Sequence, residues 1–213
     1  MLGPQFDAEQ ALARLRDGNR RFVEHVVSLE ALLSHARRED HARTQRPFAV
    51  TLGCSDSRAP AEFMFDQGPG DLFVIRVAGN IAAPSQVGSI EFAVERFQLR
   101  LIVVLEHSKC GAVQAMLDHC LSPGDTSPAL RSIVDRISPG VRPVLDDFDE
   151  AATGTRLNKS IRANVLATIG NIRAQSDYLR YTELQGGLRI VCADYDLISW
   201  AVDFFVDDLS IRS

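Results

Sequence analysis

The 213-residue sequence has no apolar run long enough to cross a bilayer, because its longest hydrophobic stretches are only as long as a β-strand. It also lacks an excess of basic residues: 23 Lys and Arg stand against 28 Asp and Glu, for a net charge of -5. We therefore expect neither a membrane nor a nucleic-acid partner. The N-terminus shows no charged region followed by an apolar one, as a secretory signal would, so we expect a cytoplasmic protein.

Cysteine is scarce, at four residues, and no two of them form a Cys-x-x-Cys pair. Structural disulfides are rare in a reducing cytosol, so each thiol is expected to serve packing, catalysis or metal binding. Cys120 and Cys192 are interpreted as small buried hydrophobic residues. Cys54 and Cys110 have more unusual neighbours, and they are the candidates for chemistry.

Short apolar segments alternate with stretches of helical periodicity along the chain. Strands are predicted at residues 48–52, 72–75, 101–105 and 188–193, and helices at residues 8–27, 29–38, about 87–97 and 157–176. The first helix is expected to be interrupted at Gly18-Asn19. This alternation predicts an α/β fold, with a mostly parallel central β-sheet flanked by helices. We expect one domain over residues 1–213, in which residues 1–40 form an N-terminal helical arm.

Three potential metal ligands follow two of the predicted strands. Cys54 comes after strand 48–52, and His107 and Cys110 come after strand 101–105. Ligands gather beyond the carboxyl ends of parallel strands, so these side chains are expected at one edge of the sheet. Two thiolates and an imidazole suit zinc with a fourth position open, whereas magnesium and calcium prefer oxygen. The spacing alone leaves an alternative, namely a buried cysteine and an ordinary turn around the histidine.

Two charged residues lie close behind Cys54, in the segment Cys-Ser-Asp-Ser-Arg. Asp56 is a candidate acceptor that orients a nucleophile, and Arg58 is a candidate partner that holds the carboxylate. The alternative is a local ion pair that caps the next helix.

Two segments resemble the paired CxDSR and HxxCG signatures of the β-class carbonic anhydrases, namely CSDSR at 54–58 and HSKCGA at 107–112. Further resemblance to this family extends over about residues 8–200, at residues 11–22, 70–74, 76–80 and 195–197. The resemblance implies zinc-dependent, reversible hydration of carbon dioxide to bicarbonate and a proton. It also implies dimers or larger assemblies, with N-terminal helices wrapped on the partner and active sites at the dimer interface.

The resemblance assigns roles to individual residues. One zinc ion per chain would be bound by Cys54, His107 and Cys110, and Asp56 and Arg58 would form the catalytic dyad. Substrate-binding positions would be Gln45, Phe73, Phe92 and Gly111. Without the resemblance, the two phenylalanines would be interpreted as core residues. We also predict that Asp56 stays paired with the arginine, away from zinc, near neutral pH.

Two alternatives share this fold: a related hydrolase acting on carbon disulfide or carbonyl sulfide with the same zinc ligands, and a non-catalytic scaffold. Retention of all three ligands and of the dyad favours an enzyme. The sequence departs from the family at Glu106, where glycine is usual. It carries Thr51 where an allosteric bacterial subgroup has tryptophan, although Arg76 matches the bicarbonate-binding arginine of that subgroup. Cys192 and Ser199-Trp200 replace residues that are usually small or glycine.

Overall fold

The computed structural model describes residues 6–29, 42, 44–122, 126–146 and 153–205, which contain a central β-sheet. The strands are β1 (Ala49–Gly53), β2 (Leu72–Arg76), β3 (Leu101–His107), β4 (Arg189–Tyr195) and β5 (Val202–Phe205). Their order in the sheet is β2-β1-β3-β4-β5, in which the first four strands run parallel to one another and β5 is antiparallel to β4. The predicted α/β fold with a mostly parallel sheet is confirmed.

Helices occupy the segments between the strands. They are α1 (Ala8–Val23), α2 (Ala61–Met64), α3 (Pro84–Phe97), α4 (Gly111–Leu121), α5 (Pro128–Asp146), α6 (Thr153–Gln175) and α7 (Asp177–Leu184), with a 3-10 helix at Ala78–Asn80. The helix predicted at 29–38 lies almost entirely outside the described residues.

The sheet is covered on both faces, which explains why its strands are continuous apolar runs. All seven residues of β3 are buried. Its side chains alternate between two apolar clusters, as strand geometry requires. Ile102 and Val104 pack against residues of α3 and α6. Leu101, Val103 and Leu105 lie in the cluster that includes α1.

Helix α1 lies on its own sheet and runs unbroken through Gly18-Asn19, so the predicted interruption is wrong. A Cβ at Gly18 would lie 1.8 Å from the carbonyl oxygen of Phe65, so glycine permits close packing there. The buried Asn19 side chain donates from Nδ2 to the carbonyls of Met64 and Trp200, and its Oδ1 accepts from the amide of Val202. Both residues that looked like helix breakers therefore attach α1 to the rest of the chain.

The strands extend further than their apolar runs suggest. Glu106 and His107 are polar, but they pair with Asp194 and Tyr195, and so β3 and β4 continue through them. The metal-ligand histidine expected after β3 is therefore the last residue of the strand. The predicted end of α1 is corrected as well, because the helix stops at Val23 rather than at residue 27.

Candidate metal centre

Three side chains converge at the carboxyl edge of the sheet. Cys54 directly follows β1, His107 ends β3, and Cys110 is the residue before α4. Their potential ligand atoms all lie within 4.8 Å of one another, and all three residues are buried. The parallel alignment of β1 and β3 brings the strand ends together, as the sequence predicts.

The orientation of His107 suits a metal ligand. Its Nδ1 lies 3.0 Å from the carbonyl oxygen of Ser108, so a proton on Nδ1 is donated to the backbone and the lone pair is left on Nε2. That Nε2 is buried, with no hydrogen-bond partner among the described residues. A buried nitrogen without a partner is costly in a protein, and coordination would satisfy it.

The side chains of Cys54 and Cys110 shift each other's pKa in opposite directions. A hydrogen bond from the Cys110 thiol lowers the pKa of Cys54 against the opposing effect of burial, and the same contact raises the pKa of Cys110. Binding of a metal requires both sulfurs to be deprotonated, and the charge of the cation offsets the repulsion between the two thiolates. Two sulfurs and an imidazole nitrogen form a donor set that fits zinc.

Asp56 and Arg58 form a bidentate pair beside this cluster. Arg58 Nε donates to Asp56 Oδ1 at 2.9 Å, Nη2 donates to Oδ2 at 2.7 Å, and the Arg58 amide donates to Oδ1 at 3.0 Å. The guanidinium holds the pKa of Asp56 well below its ordinary value. Asp56 Oδ2 lies 3.9 Å from Nε2 of His107, so the carboxylate borders the ligand cluster. The pair does not cap α2, since the N-cap of that helix is Pro60 and it has no side-chain cap.

Arg76 fixes the backbone that carries both Cys54 and Asp56. Its Nε donates to the carbonyl of Cys54 at 3.0 Å, and its Nη2 donates to the carbonyl of Asp56 at 2.5 Å. The sequence suggests a match to a regulatory arginine, but in this structure the guanidinium braces the loop. This role is not visible in the sequence, because the acceptors are main-chain carbonyls.

Two hydrogen bonds to the end of β4 and the segment after it hold the loop that follows His107. The amide of Ser108 donates to the carbonyl of Tyr195 at 2.9 Å, and the Ser108 hydroxyl oxygen accepts from the amide of Leu197 at 2.9 Å. Asp196 shapes the adjacent turn by accepting from the amides at positions 198 and 199. The Tyr-Asp-Leu segment was therefore a usable sequence signal, although its contact with the ligand loop was not predicted.

Glu106 lies outside the ligand cluster. It is 1% exposed, and neither carboxyl oxygen has a hydrogen-bond partner among the described residues. Burial, and then the neighbouring Asp194, raise its pKa well above the ordinary value. Adjacent strand residues point to opposite faces, so this side chain is directed away from that of His107.

Among the predicted substrate-binding residues, Gly111 lies beside the cluster, whereas Gln45 lies at the other end of β1. Phe73 lies 6.2 Å from Phe92, ring centre to ring centre, and Phe92 is 55% exposed. Gln45 is exposed and precedes β1, whereas Cys54 follows it. At about 3.3 Å per residue, the length of β1 alone separates them by roughly 16 Å. Gly111 is adjacent to Cys110, and a Cβ there would meet no heavy atom within 4 Å.

Within the described ranges, no helix combines the length and the apolar character that a membrane span requires.

Comparison with known proteins identifies a family. The family model for carbonic anhydrase matches residues 49–201. A carbonic anhydrase of Mycolicibacterium smegmatis is 36% identical over 201 residues, which are 94% of each chain. Carbonic anhydrase 2 of Mycobacterium tuberculosis is 37% identical over 196 residues, which are 91% of each chain.

Solved structures give the same result. The chain is similar to the β-carbonic anhydrase CafA of Aspergillus fumigatus, with a TM-score of 0.70 and 25% identity over 82% of this chain and 84% of that one. It shares the fold of the β-carbonic anhydrase CcaA, with a TM-score of 0.73 and 24% identity over 95% of this chain and 97% of that one. With a sequence-family match over most of its length and this fold, the chain belongs to the β-class carbonic anhydrase family.

Proposed function

We propose that this protein catalyses the reversible hydration of carbon dioxide to bicarbonate and a proton, with zinc held by Cys54, His107 and Cys110. One observation carries the proposal: two sulfurs and a buried, unpartnered imidazole nitrogen converge within 4.8 Å, with a carboxylate oxygen 3.9 Å from that nitrogen. Membership of the family supports the same reaction.

The three protein ligands leave a fourth position for water. When bound, zinc supplies Lewis acidity that lowers the pKa of a water molecule to about 7. Cys54 and Cys110 also belong to an apolar cluster with Ile81 and Val113. Carbon dioxide is linear and uncharged, so an apolar wall suits it while a polar edge on the other side orients the attacking water.

Asp56 and Arg58 would provide that polar edge. Because the pKa of Asp56 is held low, the carboxylate remains an acceptor throughout the neutral range. The bidentate contact with Arg58 fixes both carboxylate oxygens, so the free lone pairs of Asp56 can accept from water in one direction. The same contact opposes rotation of the carboxylate toward the metal ligands, which supports the predicted resting state.

The substrate residues are proposed to act in an assembly. Gln45 lies at the amino end of β1, so it can serve a metal centre only if that centre belongs to another copy of the chain. Phe92, at 55% exposure, offers apolar surface that a second copy would cover. We therefore include a dimer or larger assembly in the proposal, with Gln45, Phe73 and Phe92 near the subunit interface and Gly111 at the mouth of its own site.

Metal analysis combined with stopped-flow carbon dioxide hydration tests the proposal. The purified protein should contain about one zinc per chain and be active. Cys54→Ser, His107→Ala and Cys110→Ser should each lose most of the zinc and the activity, because a three-ligand site does not tolerate loss of a ligand.

Cys120→Ser is the matched control, since Cys120 is a free cysteine outside the cluster. It should keep both zinc and activity. Full zinc occupancy in all three ligand variants would show that the ligand assignment is wrong. If the protein hydrolyses carbonyl sulfide but does not hydrate carbon dioxide, the proposed metal site is correct and the proposed substrate is wrong.

A further inference from the structure

The thiolate candidate Cys54 receives a hydrogen bond from the main chain. The amide of Gly79 donates to Cys54 Sγ at an N–S distance of 3.4 Å, in a buried setting. An N–H group directed at sulfur fixes the direction of the sulfur lone pairs and withdraws part of their charge. Such contacts around a metal ligand tune both its orientation and its donor strength.

Gly79, whose amide makes this contact, has a left-handed backbone conformation. Its φ is 69° and its ψ is 20°. A Cβ at this residue would lie 2.7 Å from Cδ1 of Ile137 and 3.3 Å from Cβ of Ala112. The left-handed conformation therefore favours glycine, and a Cβ would in addition displace the Ile137 side chain. The next residue, Asn80, also has a positive φ of 44°, so this short segment depends on contacts from outside it.

One side chain from a distant helix supplies such a contact. Asn164, in the middle of α6, donates from Nδ2 to the carbonyl of Gly79 at 2.9 Å, across 85 residues of sequence. Asn164 is 1% exposed. A buried amide in an apolar interface is unfavourable unless it is hydrogen-bonded, so its position is explained by this bond.

We propose that Asn164 is a positioning residue for the metal ligand Cys54. Its hydrogen bond to the Gly79 carbonyl holds this residue in the left-handed conformation, and the Gly79 amide then stays directed at the sulfur of Cys54. The inference rests on the proposed function, in that it takes Cys54 to be a zinc ligand. It adds a residue that touches neither the metal ligands nor the dyad.

Cobalt substitution of the full-length protein reads the sulfur directly. Bound to cobalt(II), a thiolate gives a near-ultraviolet charge-transfer band, and a hydrogen bond to that thiolate moves the band to higher energy. In Asn164→Leu the Gly79 amide should leave the sulfur, so the band should shift to longer wavelength. Zinc affinity, measured by competition with a chelator, should fall by about 10- to 100-fold.

Asn164→Ala is the second variant if leucine prevents folding, since alanine also removes the donor to the Gly79 carbonyl but adds no bulk to the buried interface. It should shift the band in the same direction. Ser160→Ala is the matched control: it lies one turn earlier on α6, is fully buried, and its hydroxyl has no partner among the described residues. This control should leave the band and the affinity as in the wild type.

The outcomes separate this inference from the function on which it rests. If the wild type shows no thiolate band, the ligand assignment fails and the inference fails with it. If the wild type shows the band but folded Asn164 variants keep its position and the zinc affinity, Asn164 is only a packing residue and the inference alone is overturned. Asn164 variants that have a lower melting temperature but show no spectral shift would likewise mean that Asn164 is only a packing residue.

Discussion

The candidate metal ligands of this protein lie together in one chain, whereas the proposed substrate-binding residues are spread along it. The ligand atoms of Cys54, His107 and Cys110 converge within a single chain. Gln45 precedes β1, and Phe73, which lies beside Phe92, pairs with Val50, four residues before Cys54. Folding of one subunit is therefore sufficient to bring the three candidate ligands together, whereas the substrate pocket as proposed needs a second subunit.

Removing the dyad should stop the chemistry without emptying the site. Asp56→Ala and Arg58→Ala should keep most of their zinc, since neither residue is one of the three ligands. Each should lose about a hundredfold or more in hydration rate, because positioning errors of about 1 Å cost roughly that much. Stopped-flow assays on zinc-matched samples measure it.

Arg58→Lys is the control, because it keeps the charge but cannot reproduce the two parallel hydrogen bonds to Asp56. It should lose activity as well. Near-normal turnover in Asp56→Ala would show that Asp56 and Arg58 do not form a catalytic dyad.

Subunit mixing distinguishes a substrate residue that acts across the interface from one that acts in its own chain. Gln45→Ala should lower activity by about tenfold and leave zinc unchanged, in keeping with the loss of one hydrogen-bonding group. His107→Ala should be inactive. In a mixed dimer, the zinc site of the Gln45→Ala chain faces an intact Gln45 from the other chain, so exchange of subunits should restore activity.

The control is each variant incubated alone under the same exchange conditions, which should gain nothing. Mixed dimers that form, as shown by mass spectrometry, yet recover no activity would contradict action across the interface.

The attachment of α1 to its own chain should be visible in stability alone. Asn19→Ala removes an amide that makes three buried or partly buried hydrogen bonds. Loss of such contacts leaves main-chain groups unpaired and should lower the free energy of unfolding by about 1–3 kcal/mol. Urea denaturation measures this change, with Arg20→Ala, an exposed position of the same helix, as the control. An unchanged unfolding midpoint in Asn19→Ala would mean that α1 is not held by this residue.

A small effect on stability is expected from the turn at residues 196–199, which is hydrogen-bonded to the loop after His107. Main-chain hydrogen bonds from Ser199, and also from Ile198, lower the pKa of Asp196. A carboxylate with a depressed folded-state pKa stabilises the protein above its unfolded value, about 3.9, and loses this contribution as the pH falls through the folded value. Asp196→Asn should therefore lower the melting temperature by a few degrees at pH 7, and the difference from wild type should shrink below about pH 4.

Thermal unfolding from pH 7 to pH 3 checks this, with Asp177→Asn, at an exposed position, as the control. A difference that stays constant over the whole range would show that the charge of Asp196 is not involved.

Most of the fold was predictable because buried parallel strands are continuous apolar runs. Strand β5 was missed, since Val-Asp-Phe-Phe is short, contains a charge and gains its pairing only from β4. The Gly18-Asn19 pair was misread because the nearby Phe65 carbonyl cannot be seen in a local pattern.

The site divides in the same way. The convergence of Cys54, His107 and Cys110 was predictable, because the carboxyl ends of parallel strands lie at one edge of a sheet. The structural roles of Arg76, Gly79 and Asn164 were not predicted. Each of them acts through a hydrogen bond that involves a main-chain group, and main-chain groups are the same at nearly every position of a sequence. For Gln45 and Phe92, roles at a partner's site stay predictions, since contacts between copies are not encoded in the pattern of one chain.

Zinc K-edge absorption spectroscopy of the purified protein at neutral pH identifies the atoms that are bound to zinc. The account predicts two sulfur atoms at about 2.3 Å from zinc, with one imidazole nitrogen and one further light atom at about 2.0–2.1 Å. A zinc environment with no sulfur, made only of nitrogen and oxygen, would contradict it.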